Sequence, residues 1–214
     1  MYHRQRIRGM LKNYFKIAWR NLVRHKAFAG INIIGLVLGL AAFWMIALYV
    51  ANELSYDRYH ANTERIYRVV QYTSWENNPM QLALTSAPFG PALQAAFPEI
   101  KAFVRVVPEG GGVITYGSKR LKADDVYLAD KNIFRIFSYS FLYGNPATAL
   151  AKPHSIVLTQ SLAIKIFGRA ALALNKTIKF NDQVINVVTG VIADVPPNSH
   201  IQFSALQSLP TNFK

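Results

Sequence analysis

From Ala27 to Ala51 no side chain is charged, and the apolar run is unbroken apart from Asn32 and small residues. As a helix, 25 residues reach about 37 Å, enough to cross a hydrocarbon core of about 30 Å with some tilt. The run is too long for a secretory signal core and ends Leu48-Tyr49-Val50-Ala51-Asn52-Glu53 without a small-x-small cleavage site. It reads as an uncleaved signal anchor spanning 27–52. Just before it, Leu11, Tyr14, Phe15, Ala18 and Leu22 recur at helical spacing. Lys12, Lys16, Arg20 and Arg24 recur every fourth residue on another face, with Trp19 near the polar boundary. This pattern predicts a basic amphipathic helix within residues 1–26 that lies along lipid headgroups.

Beyond the span the periodicity shortens. Glu53–Asn62 reads as an outward prolongation of the membrane helix, a short stalk. Arg65–Thr73, Lys101–Val107, Val113–Tyr116, Leu121–Leu128, Ser155–Leu158, Thr177–Phe180 and Val184–Ala193 are rich in β formers and read as strands. Pro108–Gly112 reads as a loop or hairpin turn, and so does Asn181-Asp182-Gln183. Helices are predicted from Pro88 to Phe97, from an Asp130 N-cap through Phe137, and over Ser161–Phe167 between Thr159 and Gly168. Ser204–Lys214 has weak patterning and is not expected to fold alone. Strands mixed with short helices give an α+β fold class for residues 53–214.

Charge sharpens this picture. Residues 1–52 contain eight Lys/Arg and no acid, and the first acid is Glu53. The net charge of +13 is therefore concentrated before the span, while the remaining 162 residues carry 16 Lys/Arg against 11 Asp/Glu. Cations are held on the cytoplasmic side, so the N-terminus is expected inside and residues 53–214 outside the cytoplasm. The most basic stretch abuts a membrane span, so lipid rather than nucleic acid is the expected anionic partner. Within the span, Gly35 and Gly39 form a small-xxx-small pair, and Asn32 is a polar group in lipid. Together they suggest packing against other membrane helices. There is no cysteine, hence no disulfide and no thiolate metal site.

Candidate chemistry is sparse. No GxxxxGK[ST] phosphate loop occurs, so ATP is not bound here in that manner. Gly110–Gly112 precedes a strand rather than a helix. His3, His25, His60, His154 and His200 show no metal-ligand spacing. Ser199-His200 near Asp194 invites a hydrolase reading, but the intervening Val195-Pro196-Pro197-Asn198 is a turn, and no Gly-x-Ser-x-Gly elbow exists. Asp124-Asp125 and the Glu53/Asp57 pair read as solvated carboxylates or caps. No catalytic, cofactor or metal residue is assigned, and the chain is not expected to be an enzyme.

Four stretches, in order, resemble one family: MLKNYFKIAWRNLVRHKAFAGINIIGLVLGLAA (10–42), NELSYDRYHANTERIYRV (52–69), FRIFSYSFLYGNPATALAKPHSIVLTQSLAIKIFG (134–168) and TGVIADVPPNSHIQF (189–203). The chain looks like the N-terminal part of an FtsX/MacB-type ABC transporter permease with a MacB-like periplasmic core domain, in the style of the large Bacteroidetes members. The resemblance implies an elbow helix over 1–26, a first membrane helix over 27–52 and a periplasmic core over 53–214, in the inner membrane. Members normally continue into three further membrane helices, so the core domain reads as C-terminally truncated: a fragment, one piece of a split permease, or a remnant. The resemblance also implies a separate ABC ATPase subunit that binds ATP, a permease dimer partner or the missing C-terminal permease part, and a periplasmic partner. Members do mechanical work outside the membrane in efflux, lipoprotein handling or envelope remodelling. One departure is Asn175, where the family commonly places Gly before Lys-Thr-Ile, which puts that turn in doubt. The alternative function is a stand-alone, membrane-tethered binding or sensor module. A tethered hydrolase ranks last.

Overall fold

A computed structural model describes residues 13–14, 16–76 and 78–210. The chain divides after Ser55 into two compact units.

The first unit is helical. Residues 13–14 and 16–24 form α1; Lys12, Leu11 and Phe15 lie outside the described residues. At His25 (φ −113°, ψ 47°) the axis changes, and α2 runs Lys26–Glu53. The bend is not a break, because His25 N–H still donates to Asn21 O (3.0 Å) and Ala29 N–H to His25 O (2.9 Å). No residue of α2 is buried, and Phe28 and Ile31 are each 71% exposed. A helix so apolar and so uncovered needs a nonaqueous surrounding; by length and composition it can cross a membrane.

The second unit is a sheet-rich α+β domain. After Glu53 the chain turns instead of prolonging the helix, ending in a 3-10 turn at Thr63–Arg65. The expected stalk over Glu53–Asn62 is therefore absent: Asp57 adopts a left-handed conformation (φ 56°), which no helix accommodates. Residues 66–70 belong to no strand, and the first strand, β1, begins later, at Gln71–Trp75. It pairs antiparallel with β2 (Asn78–Leu82) as a separate two-stranded ribbon. Then come α3 (Phe89–Ala96), β3 (Val106–Tyr116), β4 (Lys119–Ala129), α4 (Ile133–Ile136) and β5 (Phe141–Gly144). The unit continues with β6 (Ser155–Thr159), α5 (Gln160–Phe167), β7 (Thr177–Phe180), β8 (Val184–Ile192) and β9 (Ala205–Ser208).

The main sheet runs β5-β8-β6-β9-β4-β3-β7, with β7 also paired to β8. Six strands thus close on themselves. This works because β8 is shared: its first half, Val184–Val187, pairs with β7, while residues 190–192 of the same strand pair with β5. On its other edge β6 and β8 are parallel, joined by a crossover that contains α5. β9 sits between β6 and β4, antiparallel to one and parallel to the other.

Every residue of β6 and β9 is buried, since both of their faces are covered. Ile156, Leu158 and Ala205 face a cluster completed by Ile114, Ile178, Phe180 and Leu162, Ala163 and Ile166 of α5. Val157 and Leu206 face a second cluster with Ile133, Leu150, Ile192 and Phe203.

Several expectations shift. Pro108–Gly112 is not a turn but part of β3, with irregular register at the glycines; the turn is Gly117-Ser118. A Cβ on Gly112 would lie 2.4 Å from the Phe180 ring, so the ring's burial requires glycine there. Asp130 does not cap α4, whose N-cap is Asn132; its carboxylate instead binds Arg105 Nε (2.9 Å) and NH2 (2.8 Å). Thr159 stands at the N-cap of α5 without a side-chain bond, and Asp194 does the capping by accepting from Ser161 N–H (2.9 Å). Gly168 ends the helix at φ +83° as expected. Asn175 takes the left-handed conformation (φ 61°) that a glycine would favour, so the substitution is compatible with a tight turn. Ser204–Lys214, expected to be weakly structured, contains the central strand β9.

Candidate functional site behind the apolar helix

The polar side chains that the fold gathers lie immediately after α2, on residues 56–63, and their partners come from 138–139 and 196–202. Asp57 N–H donates to Asn198 O (3.0 Å). The Asp57 carboxylate accepts three hydrogen bonds: from Ser199 Oγ (3.0 Å), from His200 N–H (3.1 Å) and, at 2.7 Å, from His200 Nδ1. Its left-handed backbone is what aims both oxygens at one loop, and Asp is among the few side chains that tolerate it. Burial opposes ionisation here, but the side-chain and backbone hydrogen bonds from His200, with that from Ser199, outweigh it and hold the carboxyl below its ordinary range.

Three residues on, the chain is pinned again. Tyr59 Oη donates to Ser199 Oγ (2.9 Å), and burial raises the Tyr59 pKa. His60 is 4% exposed and accepts a hydrogen bond at Nδ1 from Ser138 N–H (3.1 Å). That bond requires a neutral ring with its proton on Nε2. Burial lowers the His60 pKa, in keeping with that tautomer. The ring packs against Tyr59, Phe137 and Tyr139, with centroids 3.9, 5.0 and 5.3 Å away. Ala61 N–H reaches Ser138 Oγ (3.0 Å), and Thr63 Oγ1 donates to His60 O (2.5 Å). Eight residues of chain are thereby fastened to two loops of the sheet domain.

The hydrogen bonds of this cluster hold residues 57–61 against the 138 and 198–200 loops. Ser199 and His200, which suggest a hydrolase in the sequence, do come together with a carboxylate, but it is Asp57 and not Asp194. Both donate to that carboxylate, Ser199 to one oxygen and His200 to the other, which is not the serine-to-imidazole order of a Ser-His-Asp relay. Asp57 is not a freely solvated carboxylate but is hydrogen-bonded to the 198–200 loop. Asp124 forms an ion pair with Lys122 (2.7 Å). Among the described residues no group of three or more His, Asp or Glu could hold a metal ion. Nothing in the sequence signals the Asp57 clamp beyond two polar clusters far apart in the chain.

Of the membrane-directed residues, Lys16, Trp19, Arg20 and Arg24 are exposed on α1, Trp19 at 63%. Lys12 lies outside the described residues. On α2, Asn32, Gly35 and Gly39 share one helix face by their spacing. A Cβ placed on Gly35 or Gly39 would meet nothing within 4 Å. Asn32 also lines a concave corner with Asn21 and His25.

A folded α+β domain carried behind one candidate membrane helix, with a polar clamp fastening the chain just after that helix, defines a membrane-tethered module. Within that class, the chain belongs to the MacB-like periplasmic core domain family, whose model matches residues 29–211. The likeness to MacB/FtsX-type transporter permeases carried by the four sequence stretches is thereby shown, as is the mixed α+β class. This family is a transporter permease component, not a classical enzyme. The domain is similar to one of a protein described as a permease from Porphyromonas gingivalis: TM-score 0.57, 21% identity, covering 67% of this chain and 63% of that one. That likeness shows the fold, and the chain spans 63% of that solved domain's length. Looser matches are the periplasmic region of MacB from Actinobacillus actinomycetemcomitans (TM-score 0.36, 20% identity, 54% of each chain) and the extracellular domain of the ABC-type transporter YknZ from Gram-positive bacteria (0.39, 13%, 51% and 54%). No curated protein matches the chain.

Proposed function

We propose that the chain is a permease component of an ABC-type transporter, in which ATP hydrolysis on a separate ATPase subunit drives work in the periplasm: efflux, lipoprotein transfer or envelope remodelling. The observation that carries this reading is the clamp. Asp57, four residues after α2 ends at Glu53, is bonded to the 198–200 loop, and His60 is bonded to Ser138. A displacement of α2 along or about its axis would reach the sheet domain through a short piece of chain whose Asp57, Tyr59, His60 and Ala61 are hydrogen-bonded to that domain. In this reading residues 1–26 form a cytoplasmic elbow helix. Lys12, Lys16, Trp19, Arg20 and Arg24 lie on the lipid headgroups. Residues 27–52 span the inner membrane, and 53–214 form the periplasmic core. Asn32, Gly35 and Gly39 face other membrane helices, from a permease dimer partner or a further permease part.

The test is co-purification of the membrane-extracted chain, tagged at its C-terminus, from its native cells. Recovery of an ATPase subunit together with permease helices supports the reading. Recovery of the chain alone, with no ATP-dependent partner, refutes it and leaves a free-standing tethered module.

A further inference from the structure

The clamp contains two histidines that answer a proton in opposite ways. His60 is 4% exposed and uses Nδ1 to accept from Ser138 N–H at 3.1 Å. An imidazolium carries a proton on both ring nitrogens, so a charged His60 meets that N–H donor to donor. The same loop is held a second time by Ala61 N–H on Ser138 Oγ (3.0 Å). At the other end, the His200 side chain is 64% exposed and its Nδ1 lies 2.7 Å from Asp57 Oδ2. A proton on His200 completes an ion pair there instead of breaking a bond. The other bonds at that end involve no ring nitrogen: Ser199 Oγ and His200 N–H donate to Asp57 Oδ1, and Asp57 N–H donates to Asn198 O.

We propose that the clamp is a two-anchor device in which acid releases the His60–Ser138 anchor and keeps the Asp57–His200 anchor. The titratable groups that face the His60 ring are Tyr59 and Asp57 on its own segment and Tyr139 from the 138 loop; His200, on the third element, reaches it through Asp57. Burial pushes both tyrosine hydroxyls up, so they stay protonated across the range and contribute no charge. The Asp57 carboxylate favours a charged His60, but burial of the ring opposes it more strongly. The closed anchor therefore holds the neutral ring, and acid draws the segment toward an open form in which the ring is solvated and charged. Asp57 itself stays ionised, because its hydrogen bonds hold it below the ordinary carboxylate range. Both anchors lie between α2 and the sheet domain along the chain, so losing one of them loosens that connection without cutting it. This deepens the proposed function by giving its mechanical link a dependence on pH, and it rests on that reading only for its consequence, not for the switch itself.

The test is amide hydrogen exchange of the full chain in detergent, read as protection factors at about pH 7.5 and 5.5. A ring that titrates at 6.5 when open and stays neutral when closed shifts the opening equilibrium about tenfold over that interval. Protection at the Ser138 and Ala61 amides should fall by that factor, while protection at the Asp57 and His200 amides holds. His60→Asn, which keeps an acceptor near the Nδ1 position, should abolish the fall. A second measurement needs no variant: nitrogen-15 shifts of the wild-type His60 ring should show a neutral Nε2–H tautomer at pH 7.5. Equal loss at all four amides, which means global unfolding, overturns the proposal. So does protection that does not change with pH, a fall that survives His60→Asn, or the other tautomer. None of these results touches the transporter reading, whereas isolation of the chain without an ATPase would refute that reading and leave the exchange result standing.

Discussion

Replacing Asp57 with Asn tests the clamp most directly. Asn tolerates the left-handed backbone of position 57 and keeps one acceptor oxygen, so the substitution removes charge with little change of shape. Three donors converge on this carboxylate, at 3.0, 3.1 and 2.7 Å. Hydrogen bonds to a charged group contribute about 1.5–3 kcal/mol each when well buried. Here the Asp57 side chain is 34% exposed and that of His200 64%, so solvent screening cuts the His200 contribution severely. The expected loss for Asp57→Asn is therefore about 2 kcal/mol in all. Asp57→Ala should cost about 1–2 kcal/mol more, because it also places a Cβ-bearing residue without a local hydrogen bond at positive φ. For a domain of this size 2 kcal/mol corresponds to a Tm lower by about 4–8 °C. Thermal unfolding of the full detergent-solubilised chain, followed by near-UV circular dichroism, measures it. His200→Ala and the double variant complete a cycle whose coupling should be about 0.5–1 kcal/mol. A loss under about 0.5 kcal/mol for Asp57→Asn, or strict additivity with His200→Ala, would refute the clamp as a source of stability.

Four further outcomes are expected. The His60 pKa is lowered in the fold, so below its ordinary 6.5 the unfolded chain takes up a proton that the native chain resists; stability should be full above that pH and fall as pH drops from 7 to 5. His60→Asn, which keeps an acceptor near the Nδ1 position, should flatten this slope, and an unchanged slope would refute the assignment. Gly112→Ala drives a Cβ to 2.4 Å from the Phe180 ring and should cost about 1–3 kcal/mol in denaturant unfolding, with Phe180→Leu partly relieving it. Because the chain has no cysteine, Ser118→Cys and Asn13→Cys give single labels; an impermeant maleimide should reach the first in spheroplasts and the second only after permeabilisation, and the reverse would overturn the proposed topology. Gly35→Leu with Gly39→Leu should abolish in-membrane cross-linking of α2 to its partner helix while leaving the Tm of the sheet domain unchanged; persistence of the cross-link would refute that helix face.

The elements legible in the sequence are those whose pattern arises from their own residues. The uncharged run read as 27–52 is α2, Lys26–Glu53. β6, α5 and Gly168 carry their apolar run, helix period and stop signal locally, and Asn181-Asp182 supply the two positive φ angles of the β7–β8 turn. What the sequence conceals depends on a distant partner. Residues 66–70 have strand composition but no strand to pair with, and β propensity alone does not order them. β9, Ala-Leu-Gln-Ser, looks like a loop, yet it is fully buried because strands flank it on both edges. The triple glycine suggests a turn, but its meaning is the Phe180 ring that lies over it. Asp57 and His200 are 143 residues apart, and only the fold reveals that their two polar clusters meet.

The position of β9 has a consequence in time. It supplies the contact that joins β6 to β4, and its pairing with β4 is parallel, so one edge of each earlier strand stays open until residues 205–208 exist. At synthesis rates of about 5–20 residues per second, several seconds pass between completion of β4 and arrival of β9. If the chain crosses the membrane N-terminal part first, one edge of β4 and one edge of β6 spend that interval outside the cell's interior without a partner strand. The arrival of β9 thus sets the earliest moment at which this sheet can close, and a holdase waiting on the far side of the membrane would meet its substrate in just that window.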